Sequence, residues 1–323
     1  MNPTWMRKHL NEHCGHVLLT LATLALPGGL VGATELGGSS YPVGVELGYG
    51  DMLPSGLYNL AYYSRSQAAS LRGEAGQDLG WARYRLTADT ISYRLQYVWD
   101  ATLIGASAES ALVLPFPSID LEKQVASSLP DTSGTRFGLT DPLIVPLRLA
   151  WKGDGLNQSL ALEVVVPLGA YDVNARVNTG RNYWQFAPAY ALSYRPGADT
   201  TVGFKLRFGI NSRNDATGYR SGNELTLEYS AGYKLTDAAS FGLQGYFFRQ
   251  TTDDELNGQP TSATNGRLIG SGIGNRGSAN AIGPFVSYRI SPHFVVTGKY
   301  QHDFDVRNRA EFNRFWLQTM LPF

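Results

Sequence analysis

The sequence predicts an all-β protein, an antiparallel transmembrane β-barrel of about twelve strands of the bacterial outer-membrane type. Three observations carry that expectation. Side-chain character alternates with period two along about twelve segments, and the connections between them are by turns short and long. After residue 33 no apolar run approaches the roughly 20 residues a spanning helix needs.

The chain opens with Arg7 and Lys8, continues through an apolar run from Val17 to Leu30, and places the small residues Val31 and Ala33 before an expected cut. This pattern predicts a secretory signal peptide over residues 1–33. The apolar run is too short for an N-terminal anchor. The single cysteine, Cys14, lies within the expected signal peptide, so the 290 residues that follow lack thiols, disulfides and cysteine-ligated metal. Once Arg7, Lys8 and Glu12 are removed, 25 basic and 26 acidic side chains remain, which leaves no basic excess to hold nucleic acid.

Residues 34–55 combine Tyr41, Val43, Val45, Leu47, Tyr49 and Met52 with repeated glycines. The stretch is too apolar for a free periplasmic tail. It is expected to pack inside the barrel as a plug or gate; the rival reading makes Val43 to Tyr49 part of the first strand. The barrel itself is assigned to residues 56–323.

The clearest strand alternates Val202, Phe204, Leu206, Phe208 and Ile210 with Gly203, Lys205, Arg207, Gly209 and Asn211. Similar alternation puts Ile91, Tyr93, Leu95, Tyr97 and Trp99 opposite Ser92, Arg94 and Gln96. It also sets Trp184, Phe186 and Tyr190 against Gln185, and the even-spaced Leu160 to Val166 against Glu163. Short links are expected near Asp100 to Thr102, Gly153 to Asn157, Pro196 to Thr200, Thr236 to Ala239 and Ser291 to Pro292. Long links are expected near Gln67 to Gly80, Ile119 to Gly134, Gly169 to Arg181, Ser212 to Ser221 and Thr251 to Arg276. The two sets interleave, as long outer loops and short periplasmic turns must. Trp99, Trp151, Trp184, Tyr194, Tyr233 and Tyr288 fall near strand ends, where rings suit a headgroup boundary or serve as ordinary β-sheet aromatics. Pro146, Pro167 and Pro188 predict bulges or ladder gaps.

The last strand alternates Phe315, Leu317, Thr319, Leu321 and Phe323 with Arg314, Trp316, Gln318 and Met320. Its terminal Phe323 resembles the closing residue of outer-membrane barrels, which implies the barrel-assembly machinery as a partner.

The strings YPVGVELGYGDMLPSGLYNL, FGLTDPLIVPLRLAW, FAPAYALSYRP, SGNELTLEYSAGYKLT, FGLQGYFFRQTTDDELNG and the terminal strand resemble the outer-membrane family of the meta-pathway of phenol degradation. The likeness spans nearly all of the chain after the signal. It implies an uptake channel for aromatic or other hydrophobic compounds, and it carries over no functional residue.

With one face outward, the lumen is expected to collect Arg94, Gln96, Arg148, Glu163, Gln185, Lys205, Arg207, Glu228, Lys234, Gln244 and Lys299. Two readings stand for these charges: they set a preference for neutral or anionic solutes, or they pair across the lumen to hold the wall. Asn265 to Asn280 reads as a flexible outer loop, and Asp253, Asp254 and Glu255 as a solvated turn. No catalytic, cofactor or metal residue is assigned. His293 and His302 are the only histidines after the signal, no GxSxG elbow is present, and His302 and Asp303 point to opposite faces of a strand. The sequence is expected to encode a non-enzymatic channel in the bacterial outer membrane, bounded by lipid and lipopolysaccharide. It serves passive uptake of small hydrophobic or aromatic solutes; the alternative is a structural or surface-interaction barrel with a filled lumen.

Overall fold

A computed structural model describes residues 38–47, 49–261, 273–291 and 294–321. The expected signal peptide, His293 and Phe323 lie outside them.

The strands are β1 (Gly56–Arg72), β2 (Arg83–Leu103), β3 (Ala106–Gln124), β4 (Gly134–Phe137), β5 (Leu143–Lys152), β6 (Leu156–Val165), β7 (Gln185–Tyr194) and β8 (Thr200–Asn211). They continue with β9 (Tyr219–Arg220), β10 (Glu224–Lys234), β11 (Ala239–Gln250), β12 (Glu255–Leu256), β13 (Gln259–Pro260), β14 (Ser278–Ser291), β15 (Phe294–Arg307) and β16 (Arg309–Leu321). The twelve long strands pair antiparallel with their chain neighbours, and β1 pairs with both β2 and β16, so the sheet closes on itself. Closure removes both sheet edges, which is what lets a sheet sit in lipid without orphaned backbone groups. Strand β4 extends the outer end of β3, and β9, β12 and β13 form a small separate sheet within the loops.

Side-chain period decides the two faces. Outward lie Ile91, Leu160, Phe186, Leu206, Ile210, Leu243, Val286, Phe315 and Leu317, all exposed. So continuous an apolar exterior has a physical rationale only in lipid. On β2 the apolar belt runs from Ile91 to Trp99, about 26 Å of strand at the usual rise and about 20 Å of height once tilted. Immediately above it the outward Arg65 and Asp89 pair with each other at 3.8 Å. Trp184 stacks on Phe186 at one rim, with ring centroids 6.0 Å apart, and Tyr233 meets Phe241 edge-on near the other.

The connections alternate as expected, with shifted ends. Strand β2 runs on to Leu103, so the first short link is Ile104 and Gly105 rather than Asp100 to Thr102. Their φ angles of 47° and 75° make the two-residue turn whose twist matches a hairpin. The first long link starts at Gly73 rather than Gln67, because β1 and β2 outrun the membrane. The last outer link is the single residue Asn308, with φ 49°.

Proline acts as its missing N–H dictates at two of three places. Around Pro146 the register of β5 slips against both neighbours, and Pro188 faces a gap in the β7–β8 ladder. Pro167 is a correction: β6 ends at Val165, so this proline belongs to the following loop. So does the expectation of a flexible loop through Asn280 need correcting, since Ser278 to Asn280 begin β14 and are buried there. Residues 43–47 and Tyr49 belong to no strand, and β1 begins at Gly56.

Candidate functional site

The inward face of the barrel is polar and heavily charged, and its charges fall into two groups. On one side Glu109, fully buried, accepts from Arg94 at 3.1 Å, Arg148 at 3.3 Å and Gln96 at 2.9 Å. On the other, Glu163 takes Lys205 at 2.5 Å and Arg207 at 2.7 Å, while Arg207 also donates to Gln185 at 2.6 Å. Alternation places these residues inward, and the pairing of neighbouring strands brings them together: Glu109 stands opposite Arg148 in the β3–β5 register, and Glu163, Gln185 and Arg207 sit on the successive neighbours β6, β7 and β8. Buried charges are tolerable only when paired and hydrogen-bonded in this way.

Residues 38–47 and 49–52 run inside the cylinder and complete both groups. Glu46 accepts from Arg94 at 2.8 Å and from Lys205 at 3.0 Å, so one carboxylate spans the two charge clusters. Tyr41 accepts from Lys205 at 3.1 Å and donates to Glu228 at 3.4 Å, with the Arg207 guanidinium 4.2 Å from its ring centre. Gly44, at φ 81°, donates its N–H to Glu228 at 2.5 Å. Its carbonyl accepts from Lys299 at 2.6 Å and Gln301 at 2.9 Å. Lys299 and Gln318 both donate to the Val45 carbonyl.

Lower down, Arg148 holds the carbonyls of Tyr49 and Asp51 at 2.8 and 2.7 Å. Asn157 and Arg195 hold the Asp51 carboxylate, each at 2.6 Å. Gly50 presses against the wall so closely that an added Cβ would lie 2.3 Å from the Asn157 carbonyl oxygen. Only glycine permits that approach. At the outer end Ser39 donates to Glu224 at 2.7 Å.

Of the residues named from the sequence, Arg94, Gln96, Arg148, Glu163, Gln185, Lys205, Arg207, Glu228, Gln244 and Lys299 lie on this inner wall. Gln244 joins through Gln301, at 2.5 Å, and the Tyr300 carbonyl, at 2.9 Å. Lys234 does not join them. It is exposed at the end of β10 and pairs with Asp237 of the turn at 2.7 Å, because β10 leaves the lumen before its last residue. Tyr41, Val43, Tyr49 and Met52 are buried, whereas Val45 and Leu47 are half-buried.

Sequence reasoning missed Glu46, Glu109 and Asp303, and it placed Arg314 on the polar face of the last strand without a partner. Asp303 is fully buried, accepting from Arg314 at 2.7 Å and Tyr246 at 2.5 Å. His302 points out of the wall instead and contacts Asn313, so the adjacent pair is split across the sheet. A lone carboxylate in an apolar stretch that faces many cations was the available signal for Glu46.

Between the segment and strands β1, β2, β3, β5 and β16 lies a cavity of about 330 Å³. Its walls carry Leu86, Val113, Ile119, Leu121, Leu143 and Phe312, and Tyr41, Val43 and Glu46 form part of its inner boundary. On the far side of Glu46 the space narrows to a void of about 20 Å³ beside Tyr49, Arg148 and Lys205, room for a water molecule at most.

The acidic residues of the loop serve structure. Asp253 pairs with Arg276 at 2.6 Å and Glu255 with Arg220. Asp254 is buried and accepts from Tyr219, Gly222 and Gln250; burial pushes its carboxyl up to about 7.

A family described as "Putative MetA-pathway of phenol degradation" matches residues 64–319. No curated protein matches the chain. Among solved structures, the COG4313 outer membrane channel from Pseudomonas putida F1 superposes with a TM-score of 0.74 at 17% identity, covering 86% of this chain and 100% of the other. At that identity the likeness is one of fold. The NanC porin, with a TM-score of 0.42 at 10% identity, covers 81% of this chain and 100% of its own. A Pseudomonas aeruginosa FadL homologue, with a TM-score of 0.41 at 8% identity, covers 82% of this chain and 89% of its own.

Proposed function

The chain belongs to the family described as the MetA-pathway of phenol degradation, and from that premise we propose that it is an outer-membrane channel for passive uptake of small hydrophobic or aromatic compounds. The observation that carries the proposal is the cavity of about 330 Å³ with aliphatic and aromatic walls inside a closed barrel. A space of that size and character is the usual shape of a small-molecule site. The outer face would be solvated by lipid and lipopolysaccharide, and Phe323 would present the chain to the barrel-assembly machinery.

In this reading residues 38–55 act as the gate. The segment is held by side chains rather than built into the sheet, so it can leave without breaking the ladder. Glu46 is the latch, because its two cation partners, Arg94 and Lys205, keep their own wall carboxylates, Glu109 and Glu163, when it departs. Passage needs no energy source beyond the solute gradient. The alternative, a structural barrel without transport, is favoured by how closely the segment fills the inner half, down to the void of about 20 Å³.

Uptake into vesicles bearing lipopolysaccharide separates the two. Phenol and benzamide should enter protein-containing vesicles faster than protein-free ones, and faster than a sugar of similar mass. Equal rates with and without protein would leave the structural barrel; equal rates for all solutes would reduce the channel to a general pore.

A further inference from the structure

Arg309, the first residue of β16, lines the outer part of the cavity and is 6% exposed. Among the described residues no carboxylate lies within ion-pair distance of its guanidinium, and its Nε has no hydrogen-bond partner. The described acids that bear on it are already committed. Asp303 serves Arg314, Tyr246 and the Phe312 amide, Glu224 serves Ser39, and Glu311 pairs with Arg72 at 2.6 Å. Arg309 itself rests on the ring of Phe248, 4.2 Å from its centre. The other arginines of the cavity whose contacts decide the matter, Arg94 and Arg314, hold carboxylates at 2.8 and 2.7 Å.

A guanidinium buried without a counter-charge is costly, and its planar fork of donors matches the two oxygens of a carboxylate. Beside it the cavity offers apolar surface from Leu71, Ala310 and Phe312. We propose that Arg309 is the recognition site for the carboxylate of small aromatic monocarboxylates, whose ring occupies the adjoining apolar space. This refines the solute class and rests on the channel reading above. The ligand supplies the missing counter-charge, and its ring replaces poorly held water against the aliphatic wall. Neutral aromatics can still enter the cavity, but they leave the guanidinium unanswered.

The test is calorimetric titration of the purified full chain in detergent with benzoate and with benzamide, its neutral isostere, followed by vesicle uptake of both. Wild type should bind benzoate about tenfold more tightly than benzamide, the value of one charge-assisted hydrogen-bonded pair. Arg309→Gln should abolish that ratio, whereas Arg249→Gln, an outward arginine at the rim, should retain it. Equal affinities in wild type, or a ratio unchanged by Arg309→Gln, would overturn the site. If Arg309→Gln fails to show the heat-modifiable mobility of a folded barrel, the wild-type comparison alone decides. Selective binding without uptake of either compound would sink the channel and leave the carboxylate site standing; uptake without selective binding would do the reverse.

Discussion

Glu46 and Arg94 meet at 2.8 Å inside the barrel, joining a segment that belongs to no strand to the middle of β2. The contact lies at the boundary between the apolar cavity and the narrow void beyond it. A carboxylate that leaves the wall charges balanced by Glu109 and Glu163 when it departs is well suited to a reversible closure.

Replacing Glu46 by Ala removes both of its charge-assisted contacts. Truncating one member of such a pair is strongly unfavourable, on the order of 3 kcal/mol, with part recovered here because Arg94 and Lys205 keep other partners. The equilibrium constant for seating the segment should fall by about tenfold, equivalent to about 1.4 kcal/mol, so the released state becomes about tenfold more populated. Planar-bilayer recordings should show larger or more frequent openings than wild type; an unchanged trace would remove the latch.

Gly50→Ala drives a methyl toward the Asn157 carbonyl and the Ser193 amide, at 2.3 and 2.5 Å, both of them backbone. Neither can swing aside, so the segment must shift. Limited proteolysis should cut residues 38–55 faster in this variant while the barrel keeps its heat-modifiable mobility. Equal cleavage rates would contradict the close approach.

Leu206 faces outward near the middle of β8 and is 40% exposed. Leu206→Arg should destabilise the barrel in vesicles by about 2–4 kcal/mol, the cost of a cation at the bilayer midplane. At a solvated surface the same exchange would change stability by about 0.5 kcal/mol or less. Reversible urea unfolding in lipid distinguishes the two values.

The loop sheet should loosen as pH rises. Burial pushes the folded Asp254 carboxyl up to about 7, against the opposing donors Tyr219, Gly222 and Gln250, from about 3.9 when unfolded. The folded loop therefore holds this proton more tightly. Its contribution is complete below about pH 4 and is lost as pH climbs through about 7. Amide exchange at Thr261, whose N–H donates to the Asp254 carbonyl at 2.9 Å, should accelerate over that range beyond the intrinsic pH effect. Asp254→Asn should flatten the dependence.

Much of this architecture is readable along the chain because a strand's faces are a local property. The alternation through Lys205, Leu206 and Arg207 already separates lipid from lumen, and the short turns at Gly153 and Pro196 already mark one end. Height is less readable. Lys234 continues the inward register of β10 yet lies beyond the wall, since periodicity carries no depth. Pro167 misled for a similar reason, as the apolar run continues two residues past the last rung of β6.

Side-chain alternation and turn chemistry act over a few residues, so the long strands, their two faces and the order of the loops could be read along the chain. What occupies the lumen, which charges answer one another, and which is left over among the described residues emerge only once the sheet has closed. Glu46 meets Arg94 and Lys205, and Arg309 meets no acid among the described residues, through distances between positions far apart in the chain. Closing the sheet is what sets those distances.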